Sequence, residues 1–170
     1  ISSGIRYDLI LNDKKNGPAY LEKIVKDNVS GQMKIAPEHT MPHVLNLMGK
    51  QNIDMLLQFK NKFDALSEKA GKKQFLTYYL IAAHPGCNMK DMDALKKFAS
   101  QKLKMTPEQV QIFTPSPSTY STLMYYTGLD PFSMTPIFVE KNPVNKEKQK
   151  KTVTKKPPQY NYKTKKSYKI

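Results

Sequence analysis

The sequence predicts an α/β fold on a parallel sheet, and three observations carry that prediction. Short β-like runs alternate with longer helical patterns along most of the chain. The run QFLTYYLIAA at Gln74–Ala83 is nearly continuously apolar or aromatic, as expected of a parallel strand covered on both faces. Gly and Pro punctuate the joins between runs. Four βα units are expected.

The first strand is expected at Ile5–Leu11, ending at Asn12-Asp13. Gly17-Pro18 opens a helix over Ala19–Asn28, with Tyr20, Leu21, Ile24 and Val25 on one face. Gly31 breaks the chain before a second strand, Gln32–Ala36. Met41–Met48 predicts a short helix with Val44, Leu45 and Met48 inward. Leu56, Phe59, Phe63 and Leu66 recur every three or four residues and predict a longer helix over Ile53–Lys69, stopped by Gly71. Gln74–Ala83 is the third strand, and His84-Pro85-Gly86-Cys87 turns the chain. Asn88 caps the next helix with Asp91 three positions on; Met92, Leu95, Phe98, Ala99 and Leu103 form its buried stripe. Thr106-Pro107-Glu108-Gln109 reads as a capped single turn. Val110–Phe113 is the fourth strand, followed by the loop Thr114–Ser118 and a helix from about Thr119 to Tyr126. Gly128 and Pro131 end regular structure there.

Charge divides the chain unequally. Residues 141–170 hold 11 of the 28 basic and 1 of the 14 acidic side chains, a net +10 against +4 for residues 1–140. With Pro143, Pro157 and Pro158 and no apolar period, residues 141–170 are expected to be mostly disordered in isolation, beside a folded domain at 1–140. Four βα units are too few for an eight-stranded barrel. An open doubly wound sheet and part of a barrel whose earlier strands are absent both fit the pattern.

Several classes drop out. A single cysteine, Cys87, excludes an internal disulfide framework and fits a reducing cytosol, so a cytoplasmic location is expected. One thiol cannot ligate an iron–sulfur cluster within this chain. No apolar run approaches the ~20 residues of a membrane-spanning helix. The chain starts at Ile1 without a signal-peptide profile, and a first residue other than Met fits a segment of a longer protein. GxxxxGK[ST] and GxGxxG are absent.

Parallel α/β folds bind ligands at strand C-terminal ends. Those positions hold Asn12-Asp13, Pro37-Glu38-His39, His84-Pro85-Gly86-Cys87 and Thr114-Pro115-Ser116-Pro117. Glu38 and His39 are a base–acid pair or metal ligands by residue type; the plainer reading is that the prolines stop strands and the histidines cap carbonyls. His39 and His43 are four apart, but Pro42 lies between them where a helix begins, so no metal pair is expected. Cys87 precedes a helix N-terminus, yet without a partner base it reads as a small residue filling a turn. The tail interleaves Lys with Tyr160, Tyr162 and Tyr168, a composition suited to phosphate backbone and base stacking or simply to solubility.

Four segments together carry a family resemblance: SSGIRYDL at Ser2–Leu9, SGQMKIAPEHTMPHVLNLMGK at Ser30–Lys50, KKQFLTYYLIAAHPGC at Lys72–Cys87, and PEQVQIFTPSPSTYSTLMYYTGLDPF at Pro107–Phe132. In this order and spacing residues 2–140 closely resemble the YgiQ-type group of radical S-adenosylmethionine (SAM) proteins. The resemblance implies a partial (β/α)6 barrel of the TIM type, of which this chain holds strands three to six. It also implies SAM and a [4Fe–4S] cluster in the parent protein, on a CxxxCxxC loop that this chain lacks. The chain alone is then expected to be catalytically inert and to hold neither cofactor tightly.

What the resemblance carries over is the far wall of the site. Ser2, Ser3 and Arg6 fall where strand-three polar groups face the barrel mouth; Arg6 is placed to fork onto a carboxylate such as SAM's, or to bridge to Asp8 or Glu38. Glu38 and His39 fall among contacts to SAM or substrate, and Ala83 and His84 beside the adenine. Gln111, Thr114 and Ser116, with Thr119 beyond, fall on the substrate side. No catalytic residue and no metal ligand is assigned. The expected partner is the missing N-terminal part of the barrel, and an uncovered strand at Ile5–Leu11 is expected to favour self-association. The alternative is a nucleic-acid-binding module acting through the Lys/Tyr tail; a small α/β scaffold with a ligand site near His84 is the third.

Overall fold

A computed structural model describes residues 5–108 and 110–154. Three parallel strands, β1 (Gln32–Glu38), β2 (Phe75–Ala82) and β3 (Val110–Ile112), lie side by side in their sequence order. Three strands in this order occur in a barrel wall and equally in one half of a doubly wound sheet.

The first expected strand is the one the structure replaces. Ile5 alone pairs, in a parallel bridge to Ile35, and Tyr7–Asn12 is a helix, α1. The run YDLILN is short and apolar enough to suit either state by composition. Burial decides: Tyr7, Ile10 and Leu11 face the core while Leu9 is exposed, which is helical spacing rather than alternation. The ring of Tyr7 lies 5.7 Å from that of Phe59. The expected uncovered strand at Ile5–Leu11 is therefore not formed.

Helix α2 (Gly17–Lys23) runs into a π-helical turn, Ile24–Asn28. Gln74, expected inside the third strand, instead turns its amide onto that turn and donates to the carbonyls of Val25 and Val29. Helices α3 (Pro42–Leu47) and α4 (Ile53–Lys69) follow, the latter with the bounds its periodicity predicts. Helix α5 (Met89–Phe98) opens on a capping box in which Asn88 accepts from the Asp91 N–H and Asp91 accepts from the Asn88 N–H. It also ends in a π-helical turn, Ala99–Leu103. No helical turn forms over Thr106–Glu108, and Gln109 lies outside the described residues. Helix α6 (Tyr120–Thr127) is capped by the Thr119 hydroxyl and closed by Gly128 at φ 70°.

The basic segment also departs from expectation. Pro143–Val153 forms an eleven-residue helix, α7, within the stretch expected to be mostly disordered. Pro143 sits at the first helical position, where its missing N–H is no loss, and Asn142 caps Val144 and Asn145. Gln149 and Val153 are its two buried residues, and the helix packs against α5. Residues 155–170, with the rest of the Lys/Tyr tail, lie outside the described residues.

The two faces of the sheet differ. Met33, Ile35, Leu76, Tyr78, Leu80 and Val110 join Leu56, Phe59, Phe63, Met92 and Leu95 from α4 and α5 in one core. Alternation sends Lys34, Phe75, Tyr79 and Gln111 to the opposite face, and all four are exposed. Helices clad one side of this sheet; on the other, among the described residues, Ala36, Thr77 and Ile81 are half-buried between these exposed side chains.

Candidate functional site

The strand ends are shaped by an irregularity in β1. Ile35 pairs with Tyr78 but Glu38 pairs with Leu80, so β1 holds one residue more than β2 over the same span. Pro37, inside this bulge, has no N–H for the ladder. The bulge hands the chain to Glu38 at φ 65°, a left-handed conformation rare for glutamate, and on to His39. Glu38 pairs with Lys50 at 2.9 Å.

His39 is fully buried. Its Nδ1 accepts from the Met41 N–H at 3.0 Å, which leaves the proton of the neutral ring on Nε2, 3.5 Å from the Cys87 Sγ. Burial, with further lowering from His43 and His84 against the raising effect of Asp91, pushes His39 down to about 4. Burial pushes the Cys87 thiol up to about 12. Imidazole and thiol are thus both neutral, and the pair is a packed hydrogen-bond contact rather than a nucleophile with its base.

The end of β2 is finished from far along the sequence. Ala83, at φ 58°, donates its N–H to Gln149 Oε1 of α7 at 3.0 Å. The same Gln149 amide donates to the Cys87 carbonyl at 3.5 Å, and its oxygen lies 3.6 Å from the Cys87 thiol. His84 donates from Nδ1 to the Pro85 carbonyl at 2.8 Å, so Nε2 accepts from the Ser121 hydroxyl of α6 at 2.7 Å. Phe113 packs edge-on to the His84 ring at 5.0 Å, and burial lowers the His84 pKa. Sequence reasoning missed Gln149 and Ser121, which reach the turn from 66 and 37 residues away, and no short-range signal announces them.

The remaining expected residues distribute as follows. Ser3 lies outside the described residues. Arg6 makes a two-pronged bond to Asp8, Nε to Oδ1 at 2.8 Å and Nη2 to Oδ2 at 2.6 Å, and holds that carboxyl below its ordinary pKa. The fork expected to be available for a ligand carboxylate is thus occupied by Asp8. Arg6, Asp8, Gly49 and Lys50 line a cleft of about 310 Å³ at the end of β1. Gln111, Thr114 and Ser116 are exposed beyond β2; Thr114 donates to the Ile112 carbonyl, and the Ser116 N–H donates to Thr122. The structure therefore gathers His39, Ala83 and His84 around the β1 and β2 ends and leaves Gln111, Thr114 and Ser116 at the surface.

One further atom stands out. Thr40 Oγ1, beside His39, is the one buried side-chain polar atom without a hydrogen-bond partner among the described residues. Leaving a hydroxyl so costs about 1–3 kcal/mol. For an iron–sulfur cluster the residues present do not fit: the chain has one cysteine, buried and held protonated against His39 and Gln149. Among the described residues no three His, Cys, Asp or Glu side chains gather as a metal site. No helix of the described residues is long and apolar enough to cross a membrane.

The chain is similar to several known proteins. Residues 108–166 match a domain of unknown function, DUF3362. The chain is 63% identical over 156 residues to a UPF0313 protein of Fusobacterium nucleatum, covering 92% of this chain and 28% of that protein. A UPF0313 protein of Clostridium perfringens is 41% identical over 162 residues, covering 95% of this chain and 24% of its own length. The chain thus spans about a quarter of the length of the curated relatives it matches. Among solved structures, the archaeal Methanocaldococcus infernus Elp3 with an N-terminal deletion matches 71% of this chain and 26% of its own, at TM-score 0.50 and 13% identity. The likeness to Elp3 is one of fold, and the UPF0313 names state no activity.

Proposed function

We propose that this chain supplies the later strands of a partial (β/α)6 barrel in a radical SAM enzyme of the YgiQ type, presenting SAM- and substrate-facing strand ends while the cluster ligands lie elsewhere. The observation that carries this reading is the half-clad wall: parallel strands in sequence order, helices on one face, and Lys34, Phe75, Tyr79 and Gln111 bare on the other. A barrel lumen needs such a face; a free-standing three-stranded sheet gains nothing from it. The fold likeness to Elp3, a radical SAM protein, and the greater length of the UPF0313 relatives support the same reading.

In this reading the cleft at the end of β1 takes the amino-acid part of SAM. Its lining Arg6, Asp8 and Lys50, the last paired with Glu38 outside the cleft, offer both signs of charge to a zwitterion. The Thr40 hydroxyl lacks a partner at the same strand end. An iron–sulfur group would supply an electron in radical SAM chemistry; this chain, with one buried cysteine, would not hold it and would be inactive alone.

The decisive test is the reading frame upstream of Ile1, expressed joined to this chain and reconstituted with iron and sulfide. A frame encoding CxxxCxxC, and calorimetric SAM binding that Arg6→Ala weakens severalfold, are expected. A frame without CxxxCxxC, or a joined protein that assembles its cluster and ignores SAM, overturns the reading.

A further inference from the structure

Large apolar side chains are exposed unevenly: Tyr120, Leu123, Tyr126, Phe132, Met134 and Phe138 all fall on α6 and the turn that follows it. Helical spacing puts Tyr120, Leu123 and Tyr126 along one exposed side of α6, with the buried Met124 at the edge of that side. Phe132 extends the stripe, its ring 4.8 Å from that of Tyr120. The turn carrying Phe132 is held rigidly: Leu129 bridges Pro136, Asp130 caps Phe132 and Ser133, and the Phe138 carbonyl accepts from the Gly86 N–H at 2.7 Å.

The other end of the stripe meets positive charge. Tyr126 packs edge-on to Tyr125 at 5.4 Å, and Lys146 Nζ lies 4.6 Å from the Tyr125 ring and 2.9 Å from its hydroxyl. Lys141 Nζ lies 5.9 Å from the same ring. Beyond Lys146, α7 carries Lys148, Lys150 and Lys151 against a single Glu147, and the sequence continues strongly basic to its end. Aromatic faces for stacking, with ammonium groups beside them, are the two elements of sequence-tolerant single-strand recognition. A purely apolar partner matches the aromatics but leaves the lysines facing nothing of opposite sign; a polyanion with flat bases matches both.

We infer that the α6 stripe and α7 form a binding surface for single-stranded nucleic acid, with bases on Tyr120, Tyr126 and Phe132 and phosphates on the lysines of α7. This function is separate from the barrel reading and stands or falls without it. The surface is built by the folded chain, so it differs from a charged tail acting alone.

The test uses the full chain and fluorescence anisotropy of labelled oligouridine and oligothymidine across a salt series, with a duplex of equal length as control. Both single strands should bind more tightly than the duplex, with log affinity falling linearly in log salt. The double variant Tyr126→Ala/Phe132→Ala should lose at least tenfold in affinity with an unchanged salt slope, about the effect of removing stacking partners. Lys148→Gln/Lys150→Gln/Lys151→Gln should make the slope shallower. Thermal melting checks that both variants fold. Equal binding by wild type and the aromatic variant overturns the proposal in favour of tail electrostatics. Concentration-dependent self-association abolished by the aromatic variant, without oligonucleotide binding, overturns it in favour of a protein interface.

Discussion

At the ends of β1 and β2 the His39 and His84 rings and the thiol find partners inside the chain, whereas Gln111 on β3, Thr114 and Ser116 after it, and Tyr120 and Tyr126 on α6 stand in solvent. The first region is finished by α7, whose Gln149 amide ties Ala83 and Cys87 together; the second has no such closure. The difference teaches where substitutions should be felt. Polar groups in the first region have lost water and depend on single partners. Those in the second exchange freely with solvent.

The pH dependence of stability should separate the two most strongly. His39 is neutral in the folded state with its pKa lowered to about 4, and near its ordinary 6.5 when unfolded. Its contribution is complete above pH 6.5 and is lost progressively as pH falls towards 4, because the unfolded chain takes up the proton first. The loss amounts to about 3 kcal/mol. His84, also lowered by burial, acts in the same direction. Urea titrations at stepped pH should show this decline, and His39→Asn, whose amide oxygen replaces Nδ1 as acceptor, should flatten it; an equally steep decline in that variant places the proton uptake elsewhere.

Gln149→Leu comes next. It strips the acceptor from the Ala83 N–H in a buried site and should cost about 2 kcal/mol in urea unfolding. A near-neutral result would mean that α7 is not what closes the turn. Asn88→Ala removes both cap bonds of α5 and should cost about 1 kcal/mol, measured the same way. At the small end, Tyr126→Ala and Phe132→Ala should each move stability by no more than about 0.5 kcal/mol. A large loss at either would show that the stripe belongs to the core after all.

Much of the scaffold was legible because it is written locally. The α4 stripe, the Asn88–Asp91 box and the apolar β2 run each carry their own period or cap, and each forms where expected. Helix α1 was not legible, since a six-residue apolar run does not reveal its period. Helix α7 was hidden differently: its inward residues are Gln149 and Val153, too few and too polar to mark a stripe, and Pro143 reads as a breaker unless it falls at the first position. Of the site, the histidines announced themselves by type and by their place after strands. The Arg6–Asp8 bridge, two positions apart, was one of the readings the sequence offered; the partner of His84 was not, because it comes from α6, 37 residues on. Pairing over such distances leaves no trace in spacing.

The Gln149 contact also orders events in time. Strands β1 and β2 pair residues that are already 43 positions apart, as Gln32 with Phe75, and the amide that fixes Ala83 emerges 66 residues later still. During synthesis, which proceeds from the N-terminus at a few residues per second, the sheet is assembled well before its most constrained turn is locked. A ribosome stalled or a message cut before α7 would release a chain with its wall built and its doorway unset.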